Sequence, residues 1–253
     1  MLGHEGALVL LCPLIVFRPP RDWTPVDQAL GRLSDYDGLI FTSVNAVRFF
    51  FLRMNERSMQ QTSLQKTHCF AVGPATAEEL LQRGLPVQAL PEQFRAEGLA
   101  GLLENVHPKG RRFLFPRALG GRDVLPASLR QMGAVVDLVV VYETCMAVEN
   151  RQRLQELLAA RSLDYATFTS SSTVDAFAAF ASSGGADVSW RQVRAACIGE
   201  VTAASARAHG FSQLVVAQRA TVDGLVQAII DFEQSAPLCR AEAPAHRSGR
   251  DQP

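Results

Sequence analysis

The sequence predicts an α/β protein made of two copies of one unit, each with a parallel sheet. Apolar strand-like runs alternate with amphipathic helical stretches along the chain, which is the pattern of strands joined by covering helices. The block FTSVNAVRFF begins at Phe41 and the block FTSSSTVDAF at Phe168, 127 positions later. Two further pairs, AVGPATAEELLQRGL with CIGEVTAASARAHGF and AEGLAGLL with VDGLVQAI, keep an offset of 126. Three blocks at nearly one offset indicate an internal duplication.

Composition excludes several functional classes. The 253 residues carry 25 Lys and Arg against 25 Asp and Glu, so no net positive charge draws the chain to nucleic acid. The five cysteines form no CxxC pair, which favours reduced thiols and a cytoplasmic location. The five histidines show no metal-ligand spacing, so we expect no metal.

One apolar run lies near the start of the chain, at residues 7–17. It is broken by Pro13 and too short to cross a bilayer. It also lacks the preceding basic region and following cleavage site of a signal peptide. We therefore predict a buried β-strand there and no membrane segment.

The elements follow the same order in both copies. A strand enters a Thr-Ser turn and a helix, and a second strand enters a glycine turn and another helix. That second helix ends near Gly84 or Gly210, the position after a helix that favours glycine. A short strand and a last helix complete each copy. The predicted strands are 38–41, 67–72 and 87–90 in the first copy, and 166–168, 193–198 and 213–217 in the second.

Residues 111–144 add a strand at 112–115, a helix at 122–132 and a strand at 135–142. Gly133-Ala134 matches Gly6-Ala7 in the first copy, so the counterpart of the preceding strand and helix would fall before residue 1. We expect a truncated or misplaced start; the alternative is that the first copy diverged there. At the other end, residues 234–253 are polar and aperiodic, which predicts a disordered tail.

The repeated blocks, together with FPRALGGRDVLPASLRQMGA and VVVYET, resemble the uroporphyrinogen-III synthase family over residues 13–230. Members normally open with a strand ending in Arg-Pro and a helix, which this sequence lacks. The resemblance implies two flavodoxin-like lobes joined by two crossing strands, with the active site in the cleft between them. The implied lobes are 20–137, and 1–12 with 145–233; the implied crossing strands are 13–18 and 139–143.

The resemblance also implies a reaction. Family members close hydroxymethylbilane, a polyacidic linear tetrapyrrole, into uroporphyrinogen III, with ring D inverted and water lost. Such a lyase of heme biosynthesis needs no cofactor, and we expect a cytoplasmic monomer without nucleic-acid or membrane partners. The alternative is a degenerate, non-catalytic relative that binds an acidic ligand or partner.

Tyr142 is the catalytic candidate, because it matches the family's tyrosine in the crossing strand. A phenol can donate a hydrogen bond to a departing hydroxyl. The alternative is a strand tyrosine that packs its ring and keeps a solvated tip.

The substrate-binding candidates occupy turns at helix N-termini, where backbone N–H groups favour carboxylates. Thr76 and Thr202 match family positions and follow Gly73 and Gly199. Ser43, Ser170 and Ser171 occupy the other pair of turns, and FTSSST leaves open which hydroxyl of residues 170–172 faces a ligand. The alternative for all of them is helix capping.

A local excess of basic residues at 109–130 suits a polyacidic ligand. Arg117 and Arg122 flank a Gly120-Gly121 turn at the end of a predicted parallel strand, where ligands bind in α/β sheets. We single out Arg117 as a substrate ligand. No GxGxxG or Walker motif is present, so nucleotide binding has no support.

Overall fold

The computed structural model describes residues 1–64, 67–88, 96–104, 107–183 and 188–235. It confirms a mixed α/β protein with parallel sheets. Contacts divide the chain into two compact units. Ile15–Met146 forms one, called here the contiguous unit; Met1–Leu14 and the chain from Ala147 form the other, called the split unit.

The contiguous unit has a five-stranded sheet in the order β1-β5-β4-β2-β3. Strands β2 to β5 run parallel, and β1 pairs antiparallel with the last four residues of β5. The strands are β1 Ile15–Arg18, β2 Gly38–Phe41, β3 His68–Ala71, β4 Arg112–Ala118 and β5 Val135–Met146. The helices are α1 Thr24–Leu30, α2 Val44–Glu56, α3 Pro74–Leu81, α4 Ala96–Glu104 and α5 Val124–Gln131.

Helices cover both faces of this sheet, so its central strands are buried on both sides. Successive side chains of a strand point to opposite faces. Accordingly Leu39 and Phe41 pack in one core cluster with α2, while Ile40 packs in a second cluster with α4 and α5. Helix α2 buries residues spaced three and four apart, the stripe expected of a helix on a sheet: Ala46, Val47, Phe50, Phe51 and Met54.

The split unit has a three-stranded parallel sheet in the order β6-β7-β8. The strands are β6 Tyr165–Phe168, β7 Arg194–Cys197 and β8 Leu214–Val216, and the helices are α6 Arg151–Ala159, α7 Ser171–Ser182, α8 Glu200–Ala208 and α9 Val222–Ser235. Its core holds an aromatic cluster of Phe168, Phe177, Trp190 and Phe211, with ring centroids 5.2 to 5.9 Å apart. Ala196 and Val215 pack with Leu225 and Ile229 of α9 in a separate cluster.

The predicted glycine ends of two helices are confirmed. Gly84 and Gly210 follow α3 and α8 with φ of 73° and 86°, a left-handed conformation that glycine adopts without strain. The next residue in each case donates its N–H back into the helix, Leu85 to Leu80 at 3.0 Å and Phe211 to Ala206 at 3.1 Å. These bonds satisfy carbonyls that the helix end leaves free.

The predicted strand over residues 7–17 is wrong for most of its length. The structure assigns no strand to residues 7–14, and β1 begins only at Ile15. Leu8 and Leu11 are 87% and 74% exposed. An apolar run predicts burial, but a strand also needs a neighbour for its backbone N–H and C=O groups. Among the described residues of the split unit, no strand pairs with this run.

Other boundaries shift by a few residues. Helix α5 begins at Val124 rather than at 122, and β5 continues to Met146 because β1 pairs with its extension. Helix α9 reaches Ser235, so the tail predicted from 234 begins inside a helix, and residues 236–253 lie outside the described part of the chain. Of the strand predicted at 87–90, Val87 forms a parallel bridge with Cys69, whereas residues 89–90 are outside the described ranges.

Candidate functional site

Tyr142 lies in β5 just before the segment that pairs with β1, and it meets Ser43 in the turn after β2. Their hydroxyl oxygens lie 3.2 Å apart, a hydrogen bond that joins residues 99 positions apart in sequence. Ser43 is also the N-cap of α2, and its Oγ accepts the Ala46 N–H at 3.1 Å. The capping alternative is therefore true of Ser43, and the same side chain also contacts the catalytic candidate.

Aromatic side chains fix the Tyr142 ring. Phe49 of α2 stacks on it, with centroids 5.6 Å apart and an interplanar angle of 16°. Phe17 of β1 meets it edge-on at 5.7 Å and 77°. Only 7% of Tyr142 is exposed, so the ring belongs to the hydrophobic core of the contiguous unit. Such pairs add attraction beyond their buried area and restrict the ring to one orientation.

An irregularity in the sheet lies beside this tyrosine. Arg117 pairs with Val140, but the next residue, Ala118, pairs with Tyr142, so β5 carries one extra residue at this point. The Leu119 N–H donates to the Tyr142 carbonyl at 2.9 Å and holds the backbone beyond the bulge. Bulges re-aim side chains at strand ends.

Arg117 is buried and already has an acidic partner. Only 8% of the residue is exposed, and its Nη1 lies 2.5 Å from Asp123 Oδ1. The guanidinium passes over Gly121, where a Cβ would lie 2.8 Å from its Nε. The glycine at this turn therefore leaves room for the arginine. The Asp123 side chain is 73% exposed, so the acidic partner of this buried arginine is open to solvent.

The turn before α3 has the geometry predicted from its glycine. Gly73 is the N-cap in an extended conformation, and its carbonyl accepts the N–H groups of Thr76 and Ala77, each at 3.1 Å. Thr76 is only 5% exposed. Thr76 therefore lies in the first turn of α3 with its side chain buried.

The corresponding turns of the split unit contact one another. Ser170 caps α7 by accepting the Thr173 N–H at 3.3 Å, and Gly199 is the N-cap of α8. The Ser171 hydroxyl donates to the Val201 carbonyl at 3.4 Å, which links the first turns of the two helices. Thr202, next to Val201, is 4% exposed.

The structure thus brings Ser43 to Tyr142, and brings Ser171 to the turn that carries Gly199 and Thr202. Sequence reasoning missed Phe49 and Phe17 as neighbours of Tyr142. Phe49 stands one place before the buried Phe50 and Phe51 in FTSVNAVRFFF, so it borders the core stripe of α2. The sequence shows the run of phenylalanines, but it does not show that Phe49 packs against Tyr142.

Within the described ranges, no group of His, Cys, Asp or Glu is arranged to hold a metal ion. No helix there has the length and hydropathy required to cross a membrane. The candidate residues of each unit offer hydroxyl and backbone N–H groups, and the contiguous unit adds the buried guanidinium of Arg117.

Known proteins resemble this chain over most of its length. The profile of the family described as uroporphyrinogen-III synthase HemD matches residues 2–227. The uroporphyrinogen-III synthase of Synechococcus elongatus is 34% identical over 234 residues, covering 90% of this chain and 87% of the relative. That of Chlorobaculum parvum is 30% identical over 212 residues, covering 83% of each.

Solved structures share the fold. A mutant uroporphyrinogen III synthase from Thermus thermophilus has a TM-score of 0.62 at 21% identity, covering 89% of this chain and 88% of that one. The enzyme from Helicobacter pylori has a TM-score of 0.60 at 21% identity, covering 87% and 91%. From the family match and the curated relatives it follows that the chain belongs to the uroporphyrinogen-III synthase family.

Proposed function

We propose that this chain is a uroporphyrinogen-III synthase, a lyase that closes hydroxymethylbilane to uroporphyrinogen III with inversion of ring D and loss of water. Family membership and the names of the relatives support the reaction. The observation that carries it here is the Tyr142 phenol, held by Ser43 at the N-terminus of α2 and by two aromatic rings.

In the proposed reaction the Tyr142 phenol donates its proton to the departing hydroxyl of the substrate. The C–O bond breaks, water leaves, and an electron-deficient pyrrole remains. The substituted carbon of ring D attacks it and forms a spiro intermediate. The bond from that carbon to the methylene bridge of ring C then breaks, and the bridge bonds to the free α-carbon of ring D, which inverts the ring. That carbon loses its proton, and this proton restores the phenol. Atoms and charge balance without a cofactor. The protein's main task is to hold the reacting carbons in the geometry that gives the inverted isomer.

We assign substrate binding to the turns and to the buried arginine. The acetate and propionate groups of the substrate would accept hydrogen bonds from N–H groups at two helix N-termini. One is the turn of Gly73 and Thr76, and the other is the turn of Gly199 and Thr202. We assign Ser43 a further substrate contact through its hydroxyl, which caps α2. The remaining proposed contacts are Ser170, Ser171 and Arg117, the last by exchange of Asp123 for a substrate carboxylate.

We also propose that the two units arose by duplication, because the same backbone hydrogen bonds recur in both. The backbone carbonyls of Asp37 and Asp164 accept the N–H of the first residue of β3 and of β7, at 3.2 and 3.1 Å. The backbone carbonyls of Phe41 and Phe168 accept the N–H of the residue that follows β3 and β7, at 3.2 and 2.9 Å. The offsets between matching partners are 126 or 127, as in the sequence blocks.

A flavodoxin-like origin is supported by strand order in the contiguous unit. Counting β4 as the first strand, the parallel order β5-β4-β2-β3 followed by the Val87 bridge is 2-1-3-4-5. The domain division at 20–137, with 1–12 and 145–233 in the other lobe and 13–18 and 139–143 as crossing strands, is part of this proposal. So are a monomeric state and a cytoplasmic location.

The function is tested by supplying hydroxymethylbilane to the purified chain and separating the isomers formed. The proposal requires type III product faster than the spontaneous reaction, which gives type I. Type I alone at the spontaneous rate would overturn it. Binding of the bilane without turnover would then favour the alternative, a non-catalytic relative that holds an acidic ligand.

Tyr142→Phe tests the role of the phenol. Because the ring and its aromatic contacts remain, we expect kcat for type III formation to fall by about 10²-fold while stability changes little. The measurement is initial rate at saturating substrate, with the free energy of unfolding from urea titration as a control. A variant with unchanged kcat removes Tyr142 from the mechanism.

A further inference from the structure

Ser43 occupies a position between a helix end and the proposed catalytic phenol. Its Oγ accepts the Ala46 N–H at 3.1 Å and lies 3.2 Å from Tyr142 Oη. A serine hydroxyl has one proton and two acceptor sites. With one acceptor site occupied by Ala46, the serine proton is free to point at the tyrosine.

The direction of the bond between the two hydroxyls decides what the phenol can do. If Tyr142 donates to Ser43, the phenol proton is directed into the protein and away from a substrate. If Ser43 donates to Tyr142, the phenol proton is free to be given to a departing hydroxyl. We propose that Ser43 is a positioning residue that donates to Tyr142 and so completes a relay from the Ala46 N–H through Ser43 to Tyr142; this inference rests on the proposed function.

The helix end strengthens such a relay. Helix α2 has 13 residues, and the N-terminus of a helix carries partial positive charge. Electron density that builds on the phenol oxygen during proton transfer is stabilised by the Ser43 hydroxyl and, behind it, by the Ala46 N–H. Hydrogen bonds in a chain polarise one another in a site of low dielectric.

The surroundings leave the phenol little freedom to form another arrangement. The Tyr142 ring lies against Phe49 and Phe17, and its backbone is fixed beyond the bulge by the Leu119 N–H. With the ring fixed, the direction of the phenol proton is set by the hydroxyl that faces it. Capping alone does not require this contact, because Ser170 caps α7 through an equivalent bond to the Thr173 N–H.

Three substitutions of Ser43 separate the relay from capping. Ser43→Thr keeps both the cap and the hydroxyl proton, so kcat for type III formation is expected within about twofold of the original. Ser43→Asp keeps the cap but accepts the phenol proton, and Ser43→Ala removes both, so each should lower kcat about tenfold. KM should change less than about twofold in Ser43→Thr and Ser43→Ala, because the substrate does not bind through this group alone. Ser43→Asp should also raise KM, because it adds a negative charge beside an acidic substrate.

Thr221→Ala provides the matched control. Thr221 caps α9 by accepting the Gly224 N–H at 3.0 Å, and no proposed site residue contacts it through this bond. Loss of that cap should lower the unfolding midpoint about as much as Ser43→Ala does, with kcat unchanged. If Ser43→Asp retains full kcat, or if the effect of Ser43→Ala is confined to KM, the relay is wrong.

A spectroscopic readout separates this inference from the proposed function. In protein labelled at the tyrosine Cζ with ¹³C, the Tyr142 resonance, assigned with Tyr142→Phe, should move in Ser43→Ala and Ser43→Asp and keep its position in Ser43→Thr and Thr221→Ala. An unmoved resonance in Ser43→Ala overturns the relay. If the original protein forms no type III product, the proposed function fails and the catalytic role of the relay fails with it. If the original protein is active and the Ser43 substitutions leave kcat unchanged, only the relay is overturned.

Discussion

At the scale of single residues, burial rather than sequence context decides chemical behaviour. Cys69 and Cys197 lie in β3 and β7 and are 1% and 0% exposed. Desolvation raises the pKa of the Cys69 thiol to about 12, and burial raises that of Cys197 to about 11. In both cases the charged thiolate is penalised, so these cysteines are packing groups rather than nucleophiles.

We therefore expect Cys69 and Cys197 to resist alkylation in the folded protein at pH 8. A pKa raised from 9.0 to about 12 lowers the thiolate fraction of Cys69 at this pH roughly a thousandfold. Iodoacetamide labelling followed by peptide mass spectrometry should find both residues unmodified while the chain is folded and fully modified in urea. Labelling of Cys69 at the same rate in both conditions would contradict this.

Residues of the site differ in how far the sequence determined them. The Thr-Ser turns predicted hydroxyl groups at helix N-termini, and Ser43 and Ser170 are indeed N-caps. The burial of Arg117 could not be predicted, because a basic cluster at a glycine turn is equally typical of a solvated loop. Its pairing with Asp123 depends on how the turn closes over Gly121.

At the scale of elements, one glycine shows how close the strands and aromatic side chains pack. Gly38 opens β2, and a Cβ there would lie 2.9 Å from Phe113 Cδ1 and 3.0 Å from Phe70 Cε2. Those two rings pack edge-to-face, with centroids 6.2 Å apart. The strand needs a residue without a side chain because the rings occupy the space beside it.

Gly38→Ala is expected to destabilise the contiguous unit by about 1–3 kcal/mol, since the rings must move to admit a methyl group. Gly101→Ala offers a control of opposite sign. Gly101 lies inside α4, and a Cβ added there would meet no atom within 4 Å, so alanine should stabilise that helix by about 0.5–1 kcal/mol. Urea titration measures the free energy of unfolding of both variants. A change of the same sign in both would contradict this account of the packing.

Element type was predictable, whereas element ends were less so. The alternation of apolar runs and amphipathic stretches predicted the strands and helices of both units, and glycine predicted the helix ends at Gly84 and Gly210. The extension of β5 to Met146 was not predicted, because it depends on pairing with β1, more than a hundred residues earlier. A strand's length is set by its neighbours as well as by its own residues.

At the scale of the whole molecule, the two units have separate described core clusters. The aromatic cluster around Phe177 lies within the split unit, whereas the cluster around Phe50 lies within the contiguous unit. Regions with cores of their own can open with different free energies. A cavity in one core should therefore lower the opening free energy of the strands in that unit more than that of the strands in the other.

Phe177→Leu is expected to cost roughly 1–3 kcal/mol and to speed amide exchange in β6, β7 and β8 by more than in β2 to β4. Phe50→Leu should do the reverse, because its ring packs on Phe41 of β2 and Phe51 of α2. Hydrogen exchange followed by mass spectrometry measures both sets of strands in one experiment. Equal acceleration everywhere would mean that the chain opens as a single cooperative unit.

The sequence by itself determined the class of the fold, the order of most elements, the glycine helix ends, the capping hydroxyls and the resemblance that identified the family. These depend on local periodicity and on short motifs, which act over a few residues. Tertiary structure decided the rest. Residues 7–14 are as apolar as a buried strand but have no pairing neighbour among the described residues, so they form none. Ser43 and Tyr142 meet because β4 lies between β5 and β2 and the bulge in β5 sets the position of Tyr142 along the sheet. No local pattern encodes a contact across 99 residues.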